Sequence, residues 1–145
     1  MKHLARLALL LGSSVFAAPT DLSGHWTGTG TARDASDWTT PCTSISLDLD
    51  VTEQSVSIRA LEETCGLLEA RWTPVTMELR GSDFFSEGKK VGHFTENRLY
   101  VFANTNPRDG SYVELSLELV DGKLQIIDTI GNRQGALVVS GELRR

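Results

Sequence analysis

Residues 44–51, with the sequence SISLDLDV, alternate polar and apolar side chains at every position, and residues 55–60 (SVSIRA) follow after a short polar turn. Strict alternation indicates a half-buried β-strand, and two such runs joined by a short turn indicate a β-hairpin. With a two-residue turn, Cys42 lies directly opposite Cys65. Because directly opposed cysteines are within reach of a disulfide bond, the sequence predicts a Cys42–Cys65 disulfide, with both sulfurs on the outer, polar face of the hairpin.

The N-terminus has the organisation of a signal peptide. Lys2 and Arg6 precede an apolar run over residues 7–11, and small residues continue to Ala17. The apolar run is well short of the roughly 20 residues that a membrane-spanning helix needs. We therefore expect a cleaved signal peptide, residues 1–17, and one exported domain, residues 18–145, in the periplasm or secreted, where a disulfide bond persists.

The charge of the chain argues against a nucleic-acid partner. The sequence has 14 Lys and Arg residues against 19 Asp and Glu residues. Loss of Lys2 and Arg6 with the signal peptide leaves 12 basic residues against 19 acidic ones, a net charge of −7. Because nucleic-acid surfaces attract basic patches, we expect no nucleic-acid partner. Polar outer faces on the predicted strands also indicate a protein that does not span a membrane.

The remaining sequence consists of short strand-like segments separated by turn residues, without helical periodicity. The segments are residues 24–32, 72–80, 91–94, 98–103, 111–120, 123–130 and 136–144. Asp121-Gly122 is a strong hairpin turn, and its register places Leu115 opposite Asp128. Eight or nine short antiparallel strands predict an all-β, up-and-down barrel that closes by pairing the first strand with the last. A two-sheet β-sandwich is the alternative.

Gly24-His25-Trp26, at the start of the first segment, resembles the Gly-x-Trp motif that opens the first strand of lipocalins and related calycin barrels, the avidin-like proteins included. In that superfamily a basic residue of the last strand packs over the tryptophan at the closed end of the barrel. The resemblance implies this role for Arg144 or Arg145. The Gly-x-Trp start and single disulfide are also similar to bacterial periplasmic inhibitors of secreted metalloproteases, whose N-terminal segment enters the protease.

Three residues are candidates for ligand binding: Trp26, Glu62 and Asp128. Trp26 either stacks on a ligand or plugs one end of the barrel. In the predicted registers Asp128 and Glu62, the latter opposite Ile45, point towards the apolar interior, where a carboxylate is costly unless paired, hydrogen-bonded or protonated. One hypothesis is that the two acids, with Arg71, line the open end of a cavity and bind a polar group of a ligand. The other is that both lie at strand ends in water.

The sequence contains no pattern typical of catalysis or metal binding. It has no nucleophile elbow, no His-x-x-x-His spacing and no complete calcium loop. We therefore expect a non-enzymatic protein without a cofactor or a metal. The predicted function is to bind a small apolar or amphipathic molecule inside the barrel. The alternative is an interaction protein such as a protease inhibitor, whose barrel is filled by side chains.

Overall fold

The computed structural model describes residues 20–145, so the predicted signal peptide, residues 1–17, lies outside the described residues. The described chain forms a short 3-10 helix, Thr20–Leu22, and an 11-stranded antiparallel sheet. The strands are β1 Gly24–Asp34, β2 Thr39–Val51, β3 Ser55–Cys65, β4 Leu68–Arg71, β5 Val75–Arg80, β6 Asp83–Ser86, β7 Lys89–Thr95, β8 Arg98–Asn106, β9 Ser111–Val120, β10 Lys123–Asn132 and β11 Gly135–Arg144. No helix within residues 20–145 is long and apolar enough to cross a membrane.

The sheet closes into a ring of strands. β1 pairs with β2 on one side and with β11 on the other, so the first and last strands meet. β4 and β5 both pair with β3, along different halves of it, and together resemble one strand interrupted at residues 72–74. These pairings confirm the predicted up-and-down antiparallel barrel. The strands are more numerous than the eight or nine expected because residues 68–95 form four short strands rather than a few longer ones.

The β9–β10 hairpin has the predicted register. Leu115 pairs with Asp128, and Leu117 pairs with Ile126. At the turn, Asp121 and Gly122 have φ angles of 52° and 75°, which a type I′ hairpin turn requires. Asp128 therefore points into the barrel, as predicted.

A β-bulge shifts the pairing in the β2–β3 hairpin. The predicted register holds next to the turn. Farther from the turn, from Asp48 back to Ser44, each residue of β2 pairs with the β3 residue one position after the predicted partner. Because side chains alternate between the two faces of a strand, one extra residue exchanges the faces of the rest of β3. Glu63 consequently lies opposite Ile45 and points inwards, whereas Glu62 points outwards. The prediction that Glu62 lies opposite Ile45 is therefore wrong by one residue.

A second bulge, on β2 between Cys42 and Ser44, restores the predicted pairing of Cys42 with Cys65. The two cysteines form the predicted disulfide, with their Cα atoms 3.8 Å apart. Both cysteines are buried in the hydrophobic core. The prediction that the sulfurs lie on the outer face is wrong, because the bulge on β3 turns Cys65 inwards together with Glu63.

One end of the barrel, which we call the closed end, contains Leu22, Trp26 and Arg145. The Trp26 side chain is 1% exposed, and its Nε1 donates a hydrogen bond of 2.9 Å to the carbonyl of Leu22. The Arg145 guanidinium lies 4.5 Å from the centroid of the Trp26 ring and donates a hydrogen bond to the carbonyl of Asp21. This cation–π contact is the packing that the Gly-x-Trp resemblance implied for a basic residue of the last strand.

Candidate functional site

The opposite end of the barrel, which we call the open end, contains Ala32, the disulfide and Ile130. It holds a cavity of about 420 Å³, a volume within the range of small-molecule binding sites. Arg71, Trp72 and Thr73 lie along one side of the cavity. The aliphatic part of the lining consists of Val75, Met77, Val91, Val101, Ala103, Val113 and Ile130.

The cavity lies where the ring of strands has a gap. β7 pairs with β8 only from Gly92 to Thr95, whereas β8 continues to Asn106. β5 begins only at Val75, and the preceding residues, 72–74, belong to no strand. Within residues 20–145, no strand pairs with the last part of β8 on its β7 side. The missing pairing leaves an opening into the apolar interior.

Two buried carboxyl groups lie inside the barrel at this end, one on each wall. Asp128, on β10, is 1% exposed, and Glu63, on β3, is 3% exposed. Trp72 Nε1 donates a hydrogen bond of 2.8 Å to Asp128 Oδ2. Across the described chain, Asp128 Oδ1 and both carboxyl oxygens of Glu63 have no hydrogen-bond partner. Since buried polar atoms are nearly always hydrogen-bonded, three such oxygens mark an unusual site.

Burial raises the pKa of both carboxyl groups. Desolvation raises the pKa of Glu63 to about 8, and the charge of Asp128 contributes to the increase. Desolvation also raises the pKa of Asp128 to about 6, although the hydrogen bonds from Trp72 and from the backbone of Thr129 act in the opposite direction. At neutral pH the pair therefore holds about one proton and one negative charge in an apolar environment.

The structure places the predicted acids differently. Asp128 is inside the barrel, as expected. Glu62 is at the surface, where its Oε1 forms a salt bridge of 3.0 Å with Arg71 Nη2. Its predicted position opposite Ile45 is occupied by Glu63, which was not among the predicted site residues. Because Glu62 and Glu63 are adjacent, one of them faces the interior in any register, and this adjacency was the available clue.

Trp26 is remote from Asp128. Asp128 pairs with Val139, and Val139 pairs with Ala32, six residues along β1 from Trp26. Six residues of extended strand span about 20 Å. Trp26 contributes nothing to the lining of the open-end cavity, and the tryptophan that does line it, Trp72, was predicted only as the start of a strand.

The site offers hydrogen-bond acceptors and negative charge beside an apolar wall. Two carboxyl groups offer acceptors to a hydrogen-bond donor or a cation, and the neighbouring cavity offers room for hydrocarbon. Of the residues that the structure describes, no three His, Cys, Asp or Glu side chains form a group suited to a metal ion. The arrangement places hydrogen-bond acceptors next to an apolar cavity.

The fold and the site together define an antiparallel barrel-like protein with an apolar cavity next to a buried pair of acids. Neither protein-family models nor curated proteins give a match to this chain. Since one fold serves many functions, the function is best inferred from the cavity and its polar groups.

Proposed function

We propose that this protein is a non-enzymatic binding protein that holds a small amphipathic molecule in the open end of a lipocalin-like barrel. The observation that carries this proposal is the cavity of about 420 Å³, which has apolar walls beside unpartnered carboxyl groups. Binding pockets for small molecules typically combine mostly apolar walls with a few polar groups that fix the orientation of the ligand.

The two ends of the barrel differ in packing, which supports ligand binding over a fully filled barrel. At the closed end Trp26 and Phe84 are fully buried, and Phe84 packs edge-on against Phe94 with ring centroids 4.5 Å apart. At the open end the side chains that face the interior are smaller, such as Val101 and Ala103, and leave space unfilled. The bound molecule completes the core at this end.

Export of the protein to the periplasm or the medium is part of the same proposal. It is supported by the signal-peptide pattern of residues 1–17 and by the Cys42–Cys65 disulfide, which is stable only in an oxidising compartment. The lipocalin-like assignment is supported by Gly24-His25-Trp26 and by the packing of Arg145 over Trp26.

A titration with Nile red, an uncharged dye that fluoresces in apolar surroundings, tests the proposal. We expect saturable binding at one site in the oxidised protein. The substitution Ala103→Phe places a ring in the cavity and should weaken dye binding on the order of tenfold or more. Asn104→Phe adds the same ring on the outer face of β8 and should leave binding unchanged. Equal binding by both variants would contradict the proposal.

A second candidate function is that of an interaction protein, such as a protease inhibitor. Trp38 is 47% exposed, and Leu67 is fully exposed. Their loops are neighbours at the open end, since a Cβ on Gly66 would lie 2.8 Å from Thr40 Oγ1. Exposed aromatic and aliphatic side chains of this kind anchor protein interfaces.

The second candidate is tested by inhibition of a secreted metalloprotease. We expect inhibition by the wild-type protein and by Ala103→Phe, and its loss in the double variant Trp38→Ser, Leu67→Ser. Absence of inhibition by the wild-type protein would exclude a metalloprotease as the partner.

A further inference from the structure

We propose that the ligand carries a primary ammonium group, which Glu63 and Asp128 bind from opposite walls of the barrel. This inference rests on the proposed function, because the hydrocarbon part of the same ligand would occupy the open-end cavity. The unpartnered oxygens are Glu63 Oε1, Glu63 Oε2 and Asp128 Oδ1. An ammonium group has three N–H donors and no acceptor, so its donors match these oxygens in number.

Asp128 adjoins the cavity through two of the lining residues. Trp72 lines the cavity and also donates its indole N–H to Asp128. Ile130, another lining residue, follows Asp128 by two positions on β10 and therefore points to the same face. A ligand that extends from the cavity to Asp128 would pass the Trp72 side chain. Its aromatic ring would attract a cation on the way.

The charges around the acids favour a cation over other polar groups. Within residues 20–145, no Lys, Arg or His forms a salt bridge with Glu63 or Asp128, and the nearby Arg71 is held at the surface by Glu62. An anion would be repelled. A divalent metal ion needs more oxygen ligands than two carboxyl groups offer, and a guanidinium group would leave some of its five donors unmatched. An ammonium group has as many N–H donors as the site has unpartnered oxygens.

Binding of an ammonium group also changes the protonation of the pair. In the free protein near neutral pH, the proton on Glu63 occupies one of the oxygens that the ligand needs. Trp72 and the backbone of Thr129 are the other groups that act on Asp128. When the ammonium ion binds, Glu63 therefore releases its proton to the buffer. The complex then contains two carboxylates and one ammonium ion. Near pH 7, about one proton should be released for each ligand bound.

Isothermal titration calorimetry with octylamine, octanol and octanoate tests the inference, because these probes share a chain and differ in the head group. We expect the wild-type protein to bind octylamine on the order of tenfold or more tightly than the other two. The enthalpy should differ between phosphate and Tris buffers by the amount that corresponds to about one released proton. Octanol should bind with no proton release.

Three variants assign the effect to the acid pair. Glu63→Gln and Asp128→Asn should each lose most of the preference for octylamine over octanol and the proton release. Asn retains an oxygen acceptor for Trp72, so the site keeps its shape. Glu62→Gln changes the neighbouring, exposed carboxylate and should retain both properties of the wild-type protein.

The outcomes separate this inference from the proposed function. Equal affinity for the three probes, or a preference for octylamine that persists in Glu63→Gln and Asp128→Asn, overturns the ammonium site and leaves a carrier of apolar molecules. Absence of binding for all three probes, together with no dye binding in the wild-type protein, overturns both proposals.

Discussion

Trp72 Nε1 lies 2.8 Å from Asp128 Oδ2, and this hydrogen bond joins the wall of the open-end cavity to the buried acid pair. The backbone of Trp72 is held as well, since its N–H donates to the carbonyl of Leu61 at 2.9 Å. Trp72 is therefore fixed at two points although it belongs to no strand. Its indole connects the cavity lining to Asp128.

Substitution of Trp72 by Phe should destabilise the protein. Asp128 would lose its side-chain donor while remaining buried, and an unpaired buried acceptor costs about 1–3 kcal/mol. Urea denaturation near pH 7 measures this loss. Trp38→Phe is the matched control because Trp38 is exposed. An equal effect of the two substitutions would show that the Trp72–Asp128 hydrogen bond contributes nothing to stability.

The free energy of unfolding should fall as the pH rises from about 5 to about 8. The folded-state pKa of Glu63 is raised to about 8 and that of Asp128 to about 6. An acid with a raised pKa holds its proton longer in the folded state than in the unfolded state. The stability that such an acid contributes is therefore fully present below its pKa in the unfolded state. It is lost as the pH rises through its pKa in the folded state. Since one pKa unit corresponds to about 1.4 kcal/mol, the total loss is on the order of several kcal/mol.

Denaturant titrations at several pH values between these limits measure the slope. The exposed carboxyl groups of Asp34, Glu78, Asp109 and Glu142 have lowered pKa values and act only at more acidic pH. A stability that is constant or increases between about pH 5 and pH 8 would contradict the assigned burial of the acid pair.

Replacement of either buried acid by its amide should stabilise the protein above neutral pH. Glu63→Gln and Asp128→Asn each remove a group whose ionisation opposes folding, and each should raise the free energy of unfolding at pH 8 by about 2–4 kcal/mol. Both variants should also have a weaker dependence of stability on pH. Glu62→Gln breaks only an exposed ion pair and should change stability by about 1 kcal/mol or less. Destabilisation by both amide substitutions would mean that the carboxyl groups are satisfied in the free protein.

The disulfide should resist reduction while the protein is folded. Cys42 and Cys65 are each 2% exposed, so a thiol reagent reaches the sulfurs only after the barrel opens. Reduction by dithiothreitol should be slow in native buffer and fast in urea, as followed by alkylation and mass measurement. The double substitution Cys42→Ala, Cys65→Ala should cost about 3 kcal/mol, since the bond links residues separated by 23 positions. Fast reduction without denaturant would place the bond at the surface.

Arg145→Ala should destabilise the closed end by about 1 kcal/mol through loss of the cation–π contact with Trp26. Arg144→Ala is the control, because the Arg144 side chain is exposed and its guanidinium forms an ion pair with Glu142. Thermal unfolding compares the two variants directly. An unchanged melting temperature in Arg145→Ala would show that Arg145 does not stabilise the closed end.

The part of the fold that follows from local patterns could be predicted from the sequence. Asp121-Gly122 specifies a hairpin turn, and alternation along the flanking strands then places Asp128 inside. The β2–β3 hairpin differs because no residue type marks its bulges, so Glu62 was selected where Glu63 is buried. The Trp72–Asp128 hydrogen bond joins residues separated by 56 positions and depends on how the strands curve around the barrel. Sequence periodicity carries no information on such contacts.

The β2–β3 hairpin with its two bulges pairs the same two cysteines as a hairpin without bulges would. A hairpin without bulges would also oppose Cys42 and Cys65, but with Glu62 inside and Leu61 outside. Oxidation and disulfide mapping are therefore identical for both arrangements. The observed arrangement buries Leu61 completely, whereas the alternative would expose its side chain to water. Burial of Leu61 and of the two cysteines therefore favours the arrangement in which Glu63, rather than Glu62, enters the barrel.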